Sequence, residues 1–151
     1  MKNDGIQWML LNIYGLAHDD RKLEFLEEIQ KKVLSLDLHM MLGGDFNLVR
    51  RVEEKSSGNV DIHLMEAFND MINFTSLREL HRSGSRFTWT NKQIPPIMCV
   101  LDRVLVTNSC EDHFDLSTVV AEPRLVSDHN PLLLDTNDRV VTQQHYFRFS
   151  S

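Results

Sequence analysis

The chain has 151 residues, 42% of them hydrophobic, which is the length and apolar fraction of one packed domain and not of a disordered segment. Sixteen basic against twenty-two acidic residues give a formal charge of −6, which excludes a protein that lives on non-specific attraction to phosphates but leaves room for a locally basic groove. Two cysteines, Cys99 and Cys110, are too few for a disulfide framework or a metal spacing, and neither a signal-peptide pattern nor a run of membrane-spanning length is present, so a soluble intracellular protein, cytoplasmic or nuclear, is expected.

Along the chain, Asn3-Asp4-Gly5 carries hairpin-turn chemistry, because Asp-Gly supplies the positive φ angles of a two-residue turn. Such a turn needs a strand before it, and here Met1 and Lys2 precede it, so the sequence reads as cut open at its start. Ile6 to Ile13 is β-rich and predicts a buried strand. Asp19-Asp20 predicts the cap of a helix with Leu23, Leu26, Ile29 and Val33 at helical spacing and Lys31 and Lys32 in its last turn. Leu38 to Leu42 predicts a second buried strand, broken by Gly43-Gly44. Val52 to Asn59 reads as a loop, and Asp61 to Asn73 as a helix with Met65, Phe68 and Ile72 on one face. Short strands are expected at Phe87 to Thr90, Leu101 to Val106, Ser117 to Val120 and Pro131 to Leu134.

Three stretches carry chemistry. In Leu42-Gly43-Gly44-Asp45-Phe46-Asn47, glycine lets backbone approach a ligand, and an Asp and an Asn two apart on an extended tip point to the same side, where they can hold a water and a phosphate oxygen. In Ser127-Asp128-His129, an imidazole stands beside a carboxylate, and a distant Asp such as Asp102 can orient that ring. Ser127-Asp128-His129 is no acyl-transfer triad, since contiguous side chains diverge. The other histidines show no ligand spacing.

The ordered set Asn12-Ile13-Tyr14-Gly15, Gly44-Asp45-Phe46-Asn47, Phe87-Thr88-Trp89-Thr90-Asn91, Leu101-Asp102-Arg103-Val104 and Ser127-Asp128-His129 resembles the endonuclease/exonuclease/phosphatase superfamily, and within it the endonuclease domain of plant LINE-type retrotransposons. The resemblance implies an α+β fold, a partial two-sheet αββα sandwich of DNase I-like type, over residues 1–140, with 141–151 as a C-terminal tail whose Phe147-Arg148-Phe149 resembles the link to a reverse transcriptase. It implies Mg²⁺-assisted phosphodiester hydrolysis, with DNA as a partner. Carried over residue by residue, Tyr14 would contact the scissile phosphate, Asp45 would activate water, and Asn47 would position water and phosphate. Asp102 would orient His129, whose imidazolium would stabilise the phosphoryl oxygens, and Asp128 would join Asp45 at the metal. The bland alternatives are that Tyr14 and Phe46 are core-edge aromatics, Asp102 a partner of Arg103, and Asp45 a turn residue.

Two departures from the family pattern shape the expectation. The family's metal-ligating Glu and the Asn before it fall ahead of this chain's first residue, and Cys99-Val100 replace a Ser-Arg pair before Leu-Asp-Arg. Weak or absent Mg²⁺ binding and impaired catalysis are therefore expected. The alternative is a domesticated, non-catalytic protein that acts through self-association, by the Ile6 to Ile13 strand, or through a protein partner.

Overall fold

Met40, Met41 and Leu42 are all buried, and because successive residues of a strand face opposite ways, one strand serves two cores. The strand is β2 (His39–Asp45). On one side Met40 and Leu42 join Leu26, Ile29, Val33, Phe68 and Ile72. On the other, Met41 joins Val104, Val106, Val119, Leu132 and Leu134. The first cluster packs helices on a sheet and the second packs sheet on sheet, which is the layering of an α+β sandwich.

The computed structural model describes residues 5–136 and the backbone of Phe147–Phe149. The first sheet has the order β1 (Trp8–Tyr14), β2, β7 (Asp102–Val106), β3 (Arg78–Glu79), with β1 parallel to β2 and the other pairs antiparallel. The second has the order β10 (Phe147–Phe149), β9 (Leu132–Asp135), β8 (Thr118–Ala121), β4 (Arg82–Gly84). A small ribbon joins β5 (Trp89–Thr90) to β6 (Met98–Cys99). Helices α1 (Lys22–Ser35) and α2 (Ile62–Phe74) cover the first sheet, and the short α3 (Asn108–His113) leads from β7 toward β8, burying Cys110 between the sheets. Asp61 caps α2 by accepting a hydrogen bond from the Leu64 amide.

Several expectations are corrected. The Ile6 to Ile13 segment is not a buried strand: β1 lies at the edge of its sheet with β2 as its strand neighbour, and none of its residues is fully buried. Gly43-Gly44 does not break β2, which runs through both glycines to Asp45, with β1 and β7 flanking it. Asp19 and Asp20 form a short 3-10 turn with Arg21 and make no side-chain cap; the helix starts at Lys22, and Asp19 pairs with Lys22 at 3.0 Å. Leu23 faces outward, whereas Lys22, Leu26, Ile29 and Val33 form the buried stripe. The strands β3, β4 and β6 and the helix α3 were not expected. Asn3 and Asp4 of the expected hairpin turn lie outside the described residues. Within 141–151, Phe147–Phe149 pairs antiparallel with β9. Among the described residues, no helix is long and apolar enough to cross a membrane.

Candidate active site

The register of the first sheet aligns three polar residues in one row. Tyr14 at the end of β1 is opposite Asp45 at the end of β2, and Asp45 is opposite Asp102 at the start of β7. All three stand on the face that carries Met41, Val104 and Val106, at the rim of the inter-sheet core. Glycine makes the row possible. Gly44 has φ +134°, and a Cβ there would collide with the carbonyl of Ile13. A Cβ on Gly15 would strike the backbone of Phe46, and Gly15 instead donates its amide to the Asp45 carbonyl at 2.6 Å.

His129 reaches this row from the loop before β9. Its neighbour Asn130 is buried and fixed by its amide to the Thr88 carbonyl (2.7 Å) and by its side-chain nitrogen to the Glu122 carbonyl (2.9 Å). The Asp128 carbonyl accepts from the Thr90 amide at 3.0 Å, so the loop is stitched to β5. Thr88, fully buried, accepts the amides of Leu101 and Asp102 on its hydroxyl (2.9 and 3.0 Å), which fixes the start of β7.

The imidazole thereby lies between two carboxylates. Nδ1 of His129 is 2.8 Å from Oδ2 of Asp102, and Nε2 is 3.5 Å from Oδ2 of Asp45. An ionised carboxylate can only accept, so the Nδ1 position carries the proton. The hydrogen bond to Asp102 is the main reason the pKa of His129 is raised, against burial, which pulls it down; the charges of Asp102, Asp45 and Asp128 add to the rise. Burial, followed by the charge of Asp102, raises the pKa of Asp45, opposed by the Asn47 amide, His129 and Lys22. Both groups therefore hold a proton more readily than they would in water. The centre borders a cleft of about 180 Å³, also lined by Asn12, Tyr14 and Ser127.

Asn47 does not continue an extended tip. Its φ of +53° turns the chain back, and its amide donates to Oδ1 of Asp45 at 2.8 Å. Its side-chain nitrogen donates to the Gly15 carbonyl (3.1 Å), and its own carbonyl accepts from the buried Lys22 ammonium (2.9 Å). Asn47 thus braces Asp45 from the flank and is not among the residues lining the cleft. Tyr14 is 80% exposed at the mouth and is no core aromatic, whereas Phe46 is fully buried. Asp128 is exposed; its carboxylate accepts from Trp89 Nε1 at 3.3 Å and from Ser127 at 3.4 Å. The structure brings Tyr14, Asp45, Asp102 and His129 to one cleft, with Asn47 behind it and Asp128 on its outer rim.

Arg103 is not the partner of Asp102. The two point to opposite faces of β7, and the guanidinium, 2% exposed, meets Glu54 and Glu79 at 2.9 and 2.7 Å and lies over Phe68. Sequence reasoning assigned no role to Asn12, Lys22, Thr88, Trp89, Ser127 or Asn130. Five of them lie within or beside the quoted motifs, where the adjacency was the available signal; Lys22 gave none.

Asp45, Asp102 and His129 place one ligand atom each within 4.8 Å of one another. Both ring nitrogens of His129 already face carboxylates, so an ion at this centre would draw on hard oxygen donors.

No protein-family model and no curated protein sequence matches the chain. Among solved structures, the chain is similar to the endonuclease domain of TRAS1, a telomere-specific non-LTR retrotransposon, with 17% identity, TM-score 0.59, and coverage of 85% of this chain and 56% of that one. It is also similar to a form of beta toxin from Staphylococcus aureus, with 17% identity, TM-score 0.56, and coverage of 88% and 54%. The chain thus spans about half the length of the structures it matches. Both have the DNase I-like fold, and the α+β sandwich described above is of that fold.

Proposed function

We propose that the chain is a retroelement-derived, Mg²⁺-assisted phosphodiesterase of the endonuclease/exonuclease/phosphatase type, acting on DNA at a low rate. The observation that carries this reading is the imidazole of His129 held between Asp102 and Asp45 at 2.8 and 3.5 Å beside an exposed tyrosine. Asp45, with its raised pKa, takes a proton from water as the water oxygen attacks phosphorus. The bond from phosphorus to the leaving oxygen breaks, and that oxygen takes its proton from solvent. His129, kept protonated by Asp102, donates to a non-bridging oxygen as charge gathers there. Tyr14 contacts the phosphate at the mouth, and Asn47 holds Asp45 in place. A magnesium ion held by Asp45 and Asp128 would neutralise phosphoryl charge. Asp102 is committed to His129, which leaves two carboxylates at the cleft for the ion and supports weak binding and slow turnover. Plasmid nicking with and without Mg²⁺, compared with His129→Ala, tests the reading.

A second reading follows from β1. Its position at the sheet edge, with all seven residues at least partly exposed, favours a non-catalytic protein that pairs with a second copy of itself along this strand. Sedimentation over a concentration series tests it.

A further inference from the structure

A second cleft, of about 680 Å³, opens where the chain passes from β3 in the first sheet to β4 in the second, and it shares no lining residue with the first cleft. Five arginines line it, in a protein whose net charge is −6. Most nearby carboxylates are already committed. Glu54 and Glu79 turn inward to the buried Arg103, and Arg78 pairs with Glu111 at 3.3 Å. Arg50 donates to Asn69 at 2.8 Å and reaches Glu79 at 3.5 Å. The other three, Arg51, Arg82 and Arg86, have no carboxylate within ion-pair distance among the described residues. Arg82 donates to the backbone carbonyls of Arg86 (3.0 Å) and Ser85 (3.5 Å), and Arg86 lies over the ring of Phe87 at 5.1 Å. Burial, followed by the charge of Arg103, lowers the pKa of Arg82, against the charges of Glu79, Glu54 and Asp102, which raise it.

We propose that this cleft is a binding site for a single-stranded nucleic-acid segment, with Arg51, Arg82 and Arg86 on its phosphates and Phe87 under a base. Planar guanidiniums match phosphate in bidentate geometry. An aromatic ring among cations is the pairing that recognises a single strand, because every base has a face to stack. The volume is in the range of pockets that seat a ligand of roughly nucleotide size. Two segments connect the clefts: Asn47 leads within three residues to Arg50, and Val100, which lines the second cleft, precedes Asp102 by two. Binding at this cleft does not rest on the phosphodiesterase reading.

The test is fluorescence anisotropy of a labelled single-stranded oligonucleotide, and of a duplex of equal length, with the full chain in EDTA so that hydrolysis plays no part. The expected result is tighter binding of the single strand, with log K falling against log salt at a slope of about −2, as three phosphate contacts on a single strand give. Combining Arg51→Ala, Arg82→Ala and Arg86→Ala is expected to weaken binding more than tenfold and flatten the slope. Because Arg82 is half-buried, the pair Arg51→Glu with Arg86→Glu, both exposed positions, gives the same readout on a fold verified by circular dichroism. Unchanged affinity in the Glu pair, or preference for the duplex, overturns the proposal. Binding in EDTA by a chain that does not nick in Mg²⁺ would overturn the phosphodiesterase reading and leave this one standing.

Discussion

Nδ1 of His129 stands 2.8 Å from Oδ2 of Asp102, and this contact is the largest cause of the raised pKa of the imidazole. A raised histidine contributes stability that is complete below its unfolded value of 6.5 and is lost as pH rises through the folded value. Asp102→Asn removes that cause. The ring of His129 is expected to titrate at lower pH in the variant, by NMR of the ring protons, and the extra stability on the acid side of neutrality should vanish. An unchanged titration would mean that Asp102 does not govern the ring.

Asp45 runs in the same direction, because its pKa is raised as well. Burial and the charge of Asp102 raise its pKa, so the folded state disfavours its ionised form and loses stability as pH rises from the unfolded value of 3.8 through the folded one. Asp45→Asn keeps an acceptor for the Asn47 amide while removing the charge. The variant is expected to melt at a higher temperature than the parent at neutral pH, by calorimetry, and to lose hydrolytic activity. A lower melting temperature would show that attraction to His129 outweighs desolvation.

Arg103 is the structural cation of the fold, buried over Phe68 and shared by Glu54 and Glu79. Removing one member of a buried ionic set leaves its partners uncompensated and costs about 3–5 kcal/mol. Arg103→Ala is expected to lose that much in urea unfolding, and a loss under about 1 kcal/mol would show that water already solvates the two glutamates.

The sequence made β7 legible as the run from Leu101 to Val106 and the apolar part of β2 as Leu38 to Leu42, though not the end of β2 at Asp45. It misled where glycine and lysine depart from their usual roles. Gly44 reads as a strand breaker, yet it is there because β1 leaves no room for a Cβ. Lys22 sits on the stripe of Leu26, Ile29 and Val33, where its apolar stem can be buried while its ammonium reaches Asn47, and a polar residue at that position hides the true start of the stripe. Strands of two or three residues, such as β3 and β6, are too short to show a period, and the positive φ of Asn47 has no signature in its neighbours.

If β1 pairs with a second copy, sedimentation at micromolar concentration should give a dimer that dissociates on dilution. A charge at Leu10 or Leu11 would also disturb the cores on which these side chains pack, so such variants need an unfolding curve beside them. A monomer at every concentration, unfolding cooperatively, would contradict the second reading.

The most direct test of the proposed phosphodiesterase activity is nicking of supercoiled plasmid by the purified chain in Mg²⁺, alongside EDTA, His129→Ala and Asp45→Asn. General acid–base and oxyanion-type contributions are each worth on the order of 10²-fold or more, so nicking dependent on Mg²⁺ is predicted for the parent and loss of at least that order for either variant. Nicking equal in the parent, both variants and the EDTA control would contradict the account.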